Sequence, residues 1–349
     1  MSALGIAVVG CGAIAASKYL DNLSLMPEVC LLGFLGGQAD QYRTRYGASG
    51  AAVYRSLDEL CADSRIDAVC VCTPNNTHAA IATACLNAGK HVICEKPMAI
   101  DEVDAQAMII AAERNSLTLT IGHQARFSPA AQALRRRIAQ GEFGELYYVR
   151  SRMLRRRGVP TWGHFLDPVV QGGGCLMDLG THALDLALWL LDDFEPLSAM
   201  CATYRALADQ PTNANRWGAW DAKSFGVEDA AFATIHLRGG ATLELACSFA
   251  LNVPTDHEND VTLCGTRAGA ELRDGMLHVN GVRDDTFYLD TYPAADDENE
   301  ANRRQLADFV EAIRTGRDSL VTAQQSLAVC RILCGLYRSA VRRQPVQFD

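Results

Sequence analysis

Short runs of hydrophobic residues alternate with helical patterns over the first 124 residues of the chain. The runs are continuous, which is typical of strands buried on both faces of a sheet. The segments between them are rich in Ala and Leu, and one of them, Thr77 to Ala88, stops before Gly89, a typical helix C-cap. Strands and helices in series predict a doubly wound parallel sheet. The predicted strands are Ile6–Val9, Cys30–Leu35, Ala68–Cys72, His91–Cys94 and Leu117–Ile121.

The pattern changes after about residue 124. Strand-like runs joined by turns, among them a Gly239-Gly240 hairpin, predict an open and mostly antiparallel sheet flanked by helices. Because 349 residues exceed what one core usually covers, we expect an N-terminal domain over 1–124 and an α/β domain over 125–349. The predicted helices are Pro129–Gln140, Met177–Leu191, Asn302–Thr315 and Ala323–Arg342, and the predicted strands are Leu146–Met153, Leu197–Arg205, Ala230–Arg238, Ala241–Phe249, Val261–Cys264 and Leu277–Val279.

Composition narrows the class of protein. The net charge of -9 argues against nucleic acid as a partner. The thirteen cysteines form no spaced framework, and many lie in apolar runs, which fits free thiols in a reducing cytoplasm. No continuous run reaches the ~18 apolar residues that a membrane span needs. We therefore expect a cytoplasmic protein that does not act on membranes.

The first strand runs into a glycine-rich loop, Gly10–Ala15, which opens the first helix. Its order, Gly-x-Gly-x-x-Ala, is the dinucleotide-binding fingerprint, in which backbone N–H groups at a helix N-terminus meet the pyrophosphate. A glycine turn with a purely structural role is the alternative. The residues expected to contact the cofactor here are Gly10, Gly12, Ala13 and Ile14.

The second strand lacks the acidic residue that usually binds the ribose 2′-hydroxyl. Gly36 stands at that place, and no arginine follows at once to bind a 2′-phosphate. Gly36 is therefore a candidate contact to the ribose, but the sequence leaves the choice between NAD and NADP open.

The third and fourth strands end in further candidates. Because ligands bind at the carboxyl ends of parallel strands, Lys96 lies at the edge where a substrate would bind, stiffened by Pro97. A partly desolvated lysine beside an oxidised nicotinamide suits proton transfer, although an ordinary loop lysine is the alternative. The residues predicted to line the cofactor here are Thr73, Pro74, Asn75, His78, Glu95 and Lys96, for which turn and helix-capping roles are the alternatives.

A triple glycine, Gly172–Gly174, leads into a predicted helix that carries Asp178 and His182. Their spacing of four places both on one helix face, where a carboxylate can orient an imidazole. A solvated Asp–His pair is the alternative. No third ligand is evident nearby, so we expect no metal.

By these motifs the chain resembles the glucose–fructose oxidoreductase and inositol dehydrogenase family, Gfo/Idh/MocA. The resemblance runs from end to end and is carried by AVVGCGAIA, VCTPNNTHAAIATACLNAGKHVICEKPMA and QGGGCLMDLGTHALDLALWLL. It implies a Rossmann domain followed by an α/β domain whose open sheet forms homodimers or homotetramers. It also implies a catalytic or proton-relaying Lys96, in a turn that is often cis, and a substrate-contacting pair in Asp178 and His182. Gly36 departs from the acid common in NAD-preferring members.

The segment before the triple glycine supplies further candidates for the substrate pocket. Arg155, Trp162 and His164 lie there, and Arg126 lies near the domain crossing; interdomain structure is the alternative for all four. The function expected first is an NAD(P)-dependent dehydrogenase or reductase acting on a hydroxyl or ketone of a sugar-like small molecule. The alternatives are a redox-neutral glycosidase that oxidises its substrate transiently and a nucleotide-sensing regulator without catalysis.

Overall fold

The computed structural model describes residues 3–293 and 298–349. The chain folds into two compact units. The first comprises the residues up to Phe127 together with those from 298 to Cys330, and the second comprises the remaining described residues, 128–293 and 331–349. The described α-helices are α1 (Asp21–Leu23), α2 (Ala39–Tyr46), α3 (Leu57–Ala62), α4 (His78–Asn87), α5 (Glu102–Asn115), α6 (Pro129–Ala139), α7 (Pro168–Gln171), α8 (Thr181–Leu191), α9 (Glu298–Thr315) and α10 (Ala323–Arg342). A π-helical segment, Ala15–Leu20, follows the glycine-rich loop and runs into α1.

The described part of the first unit is built on a six-stranded parallel sheet. The strand order, β3-β2-β1-β4-β5-β6, reverses direction at β1, and this switch point is where open α/β sheets bind ligands. The central strands are almost entirely buried, as their continuous apolar runs predict. The strands are β1 (Leu4–Cys11), β2 (Val29–Gly37), β3 (Ala52–Val53), β4 (Ala68–Val71), β5 (His91–Cys94) and β6 (Leu119–Ile121).

Helix α9 returns to this first unit from the C-terminal part of the chain. Its buried residues Leu306, Phe309 and Val310 belong to the same core cluster as residues of β1, β2 and β4. The unit therefore differs from the expected domain 1–124, because the apolar face of α9 covers one side of the parallel sheet. A sequence pattern shows that such a face exists but not which sheet it packs against.

The described part of the second unit is built on a nine-stranded mixed sheet. Its order is β14-β13-β12-β11-β7-β10-β9-β8-β15, and every pair is antiparallel except β7 with β10. Strands β9 and β10 meet at the predicted Gly239-Gly240 turn, where Gly240 has φ 97°. The strands are β7 (Leu146–Arg155), β8 (Pro196–Tyr204), β9 (Ala230–Leu237), β10 (Thr242–Ser248), β11 (His257–Gly265), β12 (Ala268–Arg273), β13 (Met276–Arg283), β14 (Thr286–Pro293) and β15 (Val346–Gln347).

Helix α8 forms the core of the second unit. It lies against β7, where the Ser151 hydroxyl donates to the carbonyl of Ala183 at 2.9 Å. The stretch Pro168–Leu191 is long and apolar enough to cross a membrane, but 78% of its most apolar window is buried inside the protein. The sequence pattern predicts no span, because no continuous run reaches the ~18 apolar residues that a span needs. A mostly buried stretch of this kind is what a core helix of a soluble protein shows.

Candidate active site

The glycine loop after β1 is open on the side where a dinucleotide would approach. Gly10 has φ 89°, and a side chain there would meet the backbone carbonyl of Cys72, 2.6 Å from an ideal Cβ. A Cβ on Gly12, by contrast, would have no atom of the described residues within 4 Å. Gly12, Ala13 and Ile14 are exposed, and the buried Ala15 begins a helix. Exposed backbone N–H groups at a helix N-terminus can donate hydrogen bonds to a phosphate, so this loop suits the pyrophosphate of NAD or NADP.

Gly36 and Gly37 end β2 beside this loop. Both have positive φ, 77° and 55°, and a Cβ on Gly37 would lie 2.5 Å from the carbonyl oxygen of Cys11. The nearest described atom to a Cβ on Gly36 is the Gly10 nitrogen at 4.0 Å, so space is free beside the glycine loop. The backbone conformation, and not crowding, is what favours glycine at 36.

His78 joins the two loops that follow β4 and β5. Its ring is fully buried, with Nδ1 2.8 Å from the carbonyl oxygen of Pro97 and Nε2 2.8 Å from that of Thr73. Burial lowers the pKa of His78 below its ordinary value. The two carbonyl oxygens act in the opposite direction, because they favour the charged ring, but burial has the larger effect. A ring enclosed in this way argues against the direct cofactor contact expected for His78. Thr73, Pro74 and Asn75 are less enclosed and form the end of this loop.

Lys96 sits in a turn that is fixed on both sides. The Lys96-Pro97 peptide bond is cis. Before it, the buried carboxylate of Glu95 pairs with Lys18 at 3.6 Å, on the helix that follows the glycine loop. After it, the carbonyl of Pro97 meets His78. The two neighbours of Lys96 are thus connected to the helix after the glycine loop and, through His78, to the loop that carries Thr73.

Asp178 and His182 lie on one continuous helix in the second unit. The helix opens with a π-helical turn, Leu176–Gly180, and continues as α8, so it starts one residue earlier than predicted. The Asp178 N–H donates to the carbonyl of Gly174 at 2.9 Å, which anchors the residue to the triple glycine. Both side chains are partly exposed in an otherwise buried helix. Single π turns inside helices occur frequently at functional sites.

Arg155, at the end of β7, belongs to the surroundings of Asp178. Burial lowers the pKa of its guanidinium, whereas the negative charge of Asp178 raises it. The guanidinium donates to the Gly158 carbonyl at 3.1 Å and lies 5.5 Å from the ring centroid of Trp217. This arginine is therefore a positive charge close to the Asp178 carboxylate.

Trp217 lies beside two of the predicted substrate residues, Arg155 and Trp162. Its ring meets that of Trp162 edge-to-face, with centroids 4.7 Å apart, and Arg216 lies over it at 5.1 Å. His164 is exposed on the same loop as Trp162. No sequence pattern singles out Trp217, because it lies in an irregular loop more than 50 residues after Trp162. The cluster therefore brings two tryptophan rings and the guanidinium groups of Arg155 and Arg216 together in the second unit.

Arg126 does not join this cluster. It is fully buried in the first unit, where its guanidinium donates to the Leu320 carbonyl at 3.4 Å and to the side chain of Gln325. Both partners belong to the segment that returns to the first unit. This burial argues against the substrate contact expected for Arg126, and it favours the structural alternative.

The comparisons with known proteins place the chain in a family. A profile described as an oxidoreductase family with an NAD-binding Rossmann fold matches residues 4–123, and the profile of its C-terminal alpha/beta domain matches residues 135–348. The chain belongs to the Gfo/Idh/MocA oxidoreductase family. The predicted family, fold class and enzyme class are thereby confirmed: this member is an NAD(P)-dependent oxidoreductase with a Rossmann domain.

Individual relatives are similar over nearly their whole length. D-glucoside 3-dehydrogenase of Escherichia coli K12 is 30% identical over 97% of this chain and 96% of its own. The crystal structure of an aldose-aldose oxidoreductase from Caulobacter crescentus, complexed with glycerol, has a TM-score of 0.83 at 25% identity, covering 99% of this chain and 100% of its own. GenD2 from gentamicin A biosynthesis, solved with NAD, has a TM-score of 0.82 at 25% identity, covering 100% of this chain and 97% of its own.

Proposed function

We propose that this oxidoreductase transfers a hydride to or from a secondary hydroxyl or ketone of a sugar, polyol or sugar derivative, with Lys96 and His182 exchanging the hydroxyl proton. The observation that carries the proposal is the fixed turn at Lys96, whose two neighbours are bound by Lys18 and His78. The substrate class is supported by the named activities of the relatives, a glucoside dehydrogenase and an aldose oxidoreductase.

The residues present fit a dinucleotide. Gly10, Gly12, Ala13 and Ile14 would bind the pyrophosphate, Gly36 would lie at the adenosine ribose, and Thr73, Pro74, Asn75 and Glu95 would line the path toward the nicotinamide. The bound nicotinamide supplies the hydride chemistry. The open space at Gly36 and the lack of an acid at that position leave NAD and NADP as alternatives.

The protein's own residues would handle the proton and hold the substrate. Lys96 would hold or accept the hydroxyl proton, and His182 would pass it on, with Asp178 orienting the imidazole. Arg155 and the aromatic cluster of Trp162 and Trp217 would bind the remaining hydroxyls and the sugar face. Proton transfer by a positioned side chain typically contributes about 10²–10⁴-fold to a rate.

The test is a panel of sugars, polyols and glycosides assayed separately with NAD and NADP, followed by Lys96→Ala and His182→Ala on the best substrate. We expect turnover to fall by about 10²–10⁴-fold while the dinucleotide still binds, as measured by fluorescence titration. Lys223→Ala is the matched control, because Lys223 is an exposed lysine of the second unit. Normal turnover in Lys96→Ala would disprove the proposed role.

The same panel separates the other functions. Glycoside consumed without accumulation of reduced nicotinamide would indicate the redox-neutral glycosidase. Saturable dinucleotide binding without turnover of any compound would indicate a nucleotide-sensing regulator.

We further propose that the enzyme is a cytoplasmic homodimer or homotetramer that associates through the open sheet of the second unit. All thirteen cysteines are free thiols, which suits a reducing compartment. On the sheet, Met200, Tyr204 and Phe232 are exposed on outward-facing positions of β8 and β9. Contiguous exposed apolar side chains of this kind mark contact surfaces between proteins.

A further inference from the structure

Glu228, just before β9, receives an unusual set of hydrogen bonds. Its carboxylate accepts the N–H of Gly174 at 2.9 Å and the N–H of Leu176 at 2.9 Å, and the hydroxyl of Tyr337 donates to it at 2.8 Å. Its own backbone carbonyl accepts the N–H of Cys175 at 3.3 Å. One residue thus binds three consecutive N–H groups at the start of the helix that carries Asp178 and His182.

This arrangement explains two of the three glycines in the motif. A Cβ on Gly173 would lie 1.9 Å from the Tyr337 hydroxyl oxygen, and a Cβ on Gly174 would lie 2.2 Å from the Glu228 carbonyl oxygen. Only glycine lets the chain approach Tyr337 and Glu228 so closely. The glycines therefore serve the contact with Glu228, which lies more than 50 residues further along the chain.

The contact determines where the helix begins. A helix N-terminus leaves its first N–H groups without intrahelical partners, and Ser, Thr, Asp or Asn at the N-cap usually satisfies them locally. The residue at the N-cap of the π-helical turn, Cys175, makes no such side-chain bond, and among the described residues Glu228 takes that place from a distant segment. The Asp178 N–H in turn donates to the carbonyl of Gly174, the residue whose own N–H Glu228 binds. A displacement of Glu228 would therefore displace Asp178 through a single intervening residue.

We propose that Glu228, braced by Tyr337, is a positioning residue for the reaction: it fixes the start and the rotation of the helix that presents Asp178 and His182. This inference rests on the proposed function, since it assigns Glu228 a role through those two residues. Enclosure raises the pKa of the Glu228 carboxyl, while the hydrogen bonds from Leu176, Tyr337 and Gly174 act to lower it. The carboxylate also stands at the positive end of a helix, where a negative charge is favoured.

The experiment compares Glu228→Gln and Tyr337→Phe with the wild type. Glu228→Gln keeps the shape but replaces one acceptor by a donor that faces N–H groups. Tyr337→Phe removes only the hydroxyl. Glu244→Gln is the matched control, because Glu244 also accepts a tyrosine hydroxyl, that of Tyr148 at 2.7 Å, on a sheet strand of the same unit.

We expect kcat to fall by ~10- to 100-fold in Glu228→Gln and less in Tyr337→Phe, because a displacement of about 1 Å can cost 10²-fold in rate. The limb of the pH profile of kcat that reports His182 should shift in both variants. KM for the dinucleotide should stay unchanged, because the glycine loop lies in the other unit. A purely structural role would lower the thermal midpoint and leave the kcat and pH profile of the folded enzyme unchanged, which would overturn the proposal.

The two proposals fail in different ways. If Lys96→Ala is inactive while Glu228→Gln and Tyr337→Phe have wild-type kcat and pH profile, only the positioning role is wrong. If Lys96→Ala turns over normally, the proposed function is wrong whatever Glu228 does. If Glu228→Gln does not fold, Tyr337→Phe alone decides: wild-type kcat and pH profile there contradict the positioning role.

Discussion

Single side chains fix the geometry of the two segments that carry the proposed chemistry. In the first unit, Lys18 and His78 bind the neighbours of Lys96 on either side, so a residue that could be an ordinary loop lysine is held in one place. In the second unit, Glu228 does the same for the start of a helix. His78 is fully buried, whereas Lys18 and Glu228 are partly buried, as are Lys96, Asp178 and His182.

Cys61 is the thiol that we expect to react first with alkylating reagents. Hydrogen bonding from Cys85 and the charge of Lys90 lower its pKa from the ordinary 9.0 to about 7. The thiolate is the nucleophile, so labelling by iodoacetamide should rise through pH 7, about two units below an ordinary cysteine. Peptide mapping by mass spectrometry gives the site, and Cys61→Ser should remove this early labelling. Labelling that begins at Cys30 or only above pH 8 would contradict the prediction.

Gly36→Asp should move cofactor preference toward NAD. A carboxylate there can accept the ribose 2′-hydroxyl and repels a 2′-phosphate. The nearest described atom to the new Cβ is the Gly10 nitrogen at 4.0 Å, and Asp tolerates positive φ better than most residues. We expect the ratio of kcat/KM for NAD over NADP to rise by about tenfold or more, equivalent to ~1.4 kcal/mol. Gly36→Asn, of the same shape but uncharged, should change the ratio much less; an equal change in both variants would refute the electrostatic explanation.

At the scale of elements, regular segments were predictable and irregular ones were not. The buried parallel strands and the helix Ala323–Arg342 agree with the sequence pattern because each carries a clear apolar run or stripe. The sequence pattern did not predict β12 and β14, nor the two-residue strands β3 and β15. The residues of β14 are mostly exposed on both faces, so they leave no hydrophobic alternation to detect, and their pairing with β13 depends mainly on backbone hydrogen bonds.

Helix α9 provides a test of element packing. Phe309 is fully buried in the core of the first unit, although it follows the glycine loop by almost 300 residues. Phe309→Ala should therefore cost about 3–5 kcal/mol in the free energy of unfolding and weaken dinucleotide binding. Denaturant unfolding and NAD titration measure the two effects. Val341→Ala, which trims an exposed side chain of α10, is the control. Undiminished stability of Phe309→Ala would show that α9 does not support this core.

At the scale of the whole molecule, an apolar surface of the second unit stays exposed within the described part of the chain. Alternation along β8 and β9 buries one face of the sheet and leaves Met200, Tyr204 and Phe232 on the other, and the rings of Tyr204 and Phe232 lie 6.0 Å apart. The buried face already provides the unit with its own core. The exposed face is therefore available for the proposed self-association.

Light scattering should show a dimer or tetramer of the wild type at micromolar concentration. Phe232→Glu places a charge within the proposed contact surface, so we expect it to shift the protein toward monomer, because burying an unpaired charge is unfavourable. Val341→Glu is the matched control, since Val341 is an apolar residue that is 84% exposed on α10. A monomeric wild type, or an unchanged mass for Phe232→Glu, would contradict association through this face.

The sequence by itself determined the family, the parallel sheet with its glycine loop, and the positions of Lys96, Asp178 and His182 in the chain. These features depend on local order, on apolar periodicity and on motifs a few residues long. Only the tertiary structure decided which residues hold them: Lys18 and His78 at Lys96, and Glu228 and Tyr337 at the triple glycine. The structure also shows that α9 packs in the core of the first unit and that Arg126 is buried. These contacts join residues up to almost 300 positions apart, and no local pattern encodes which distant side chain will satisfy a given N–H group or cover a given apolar face.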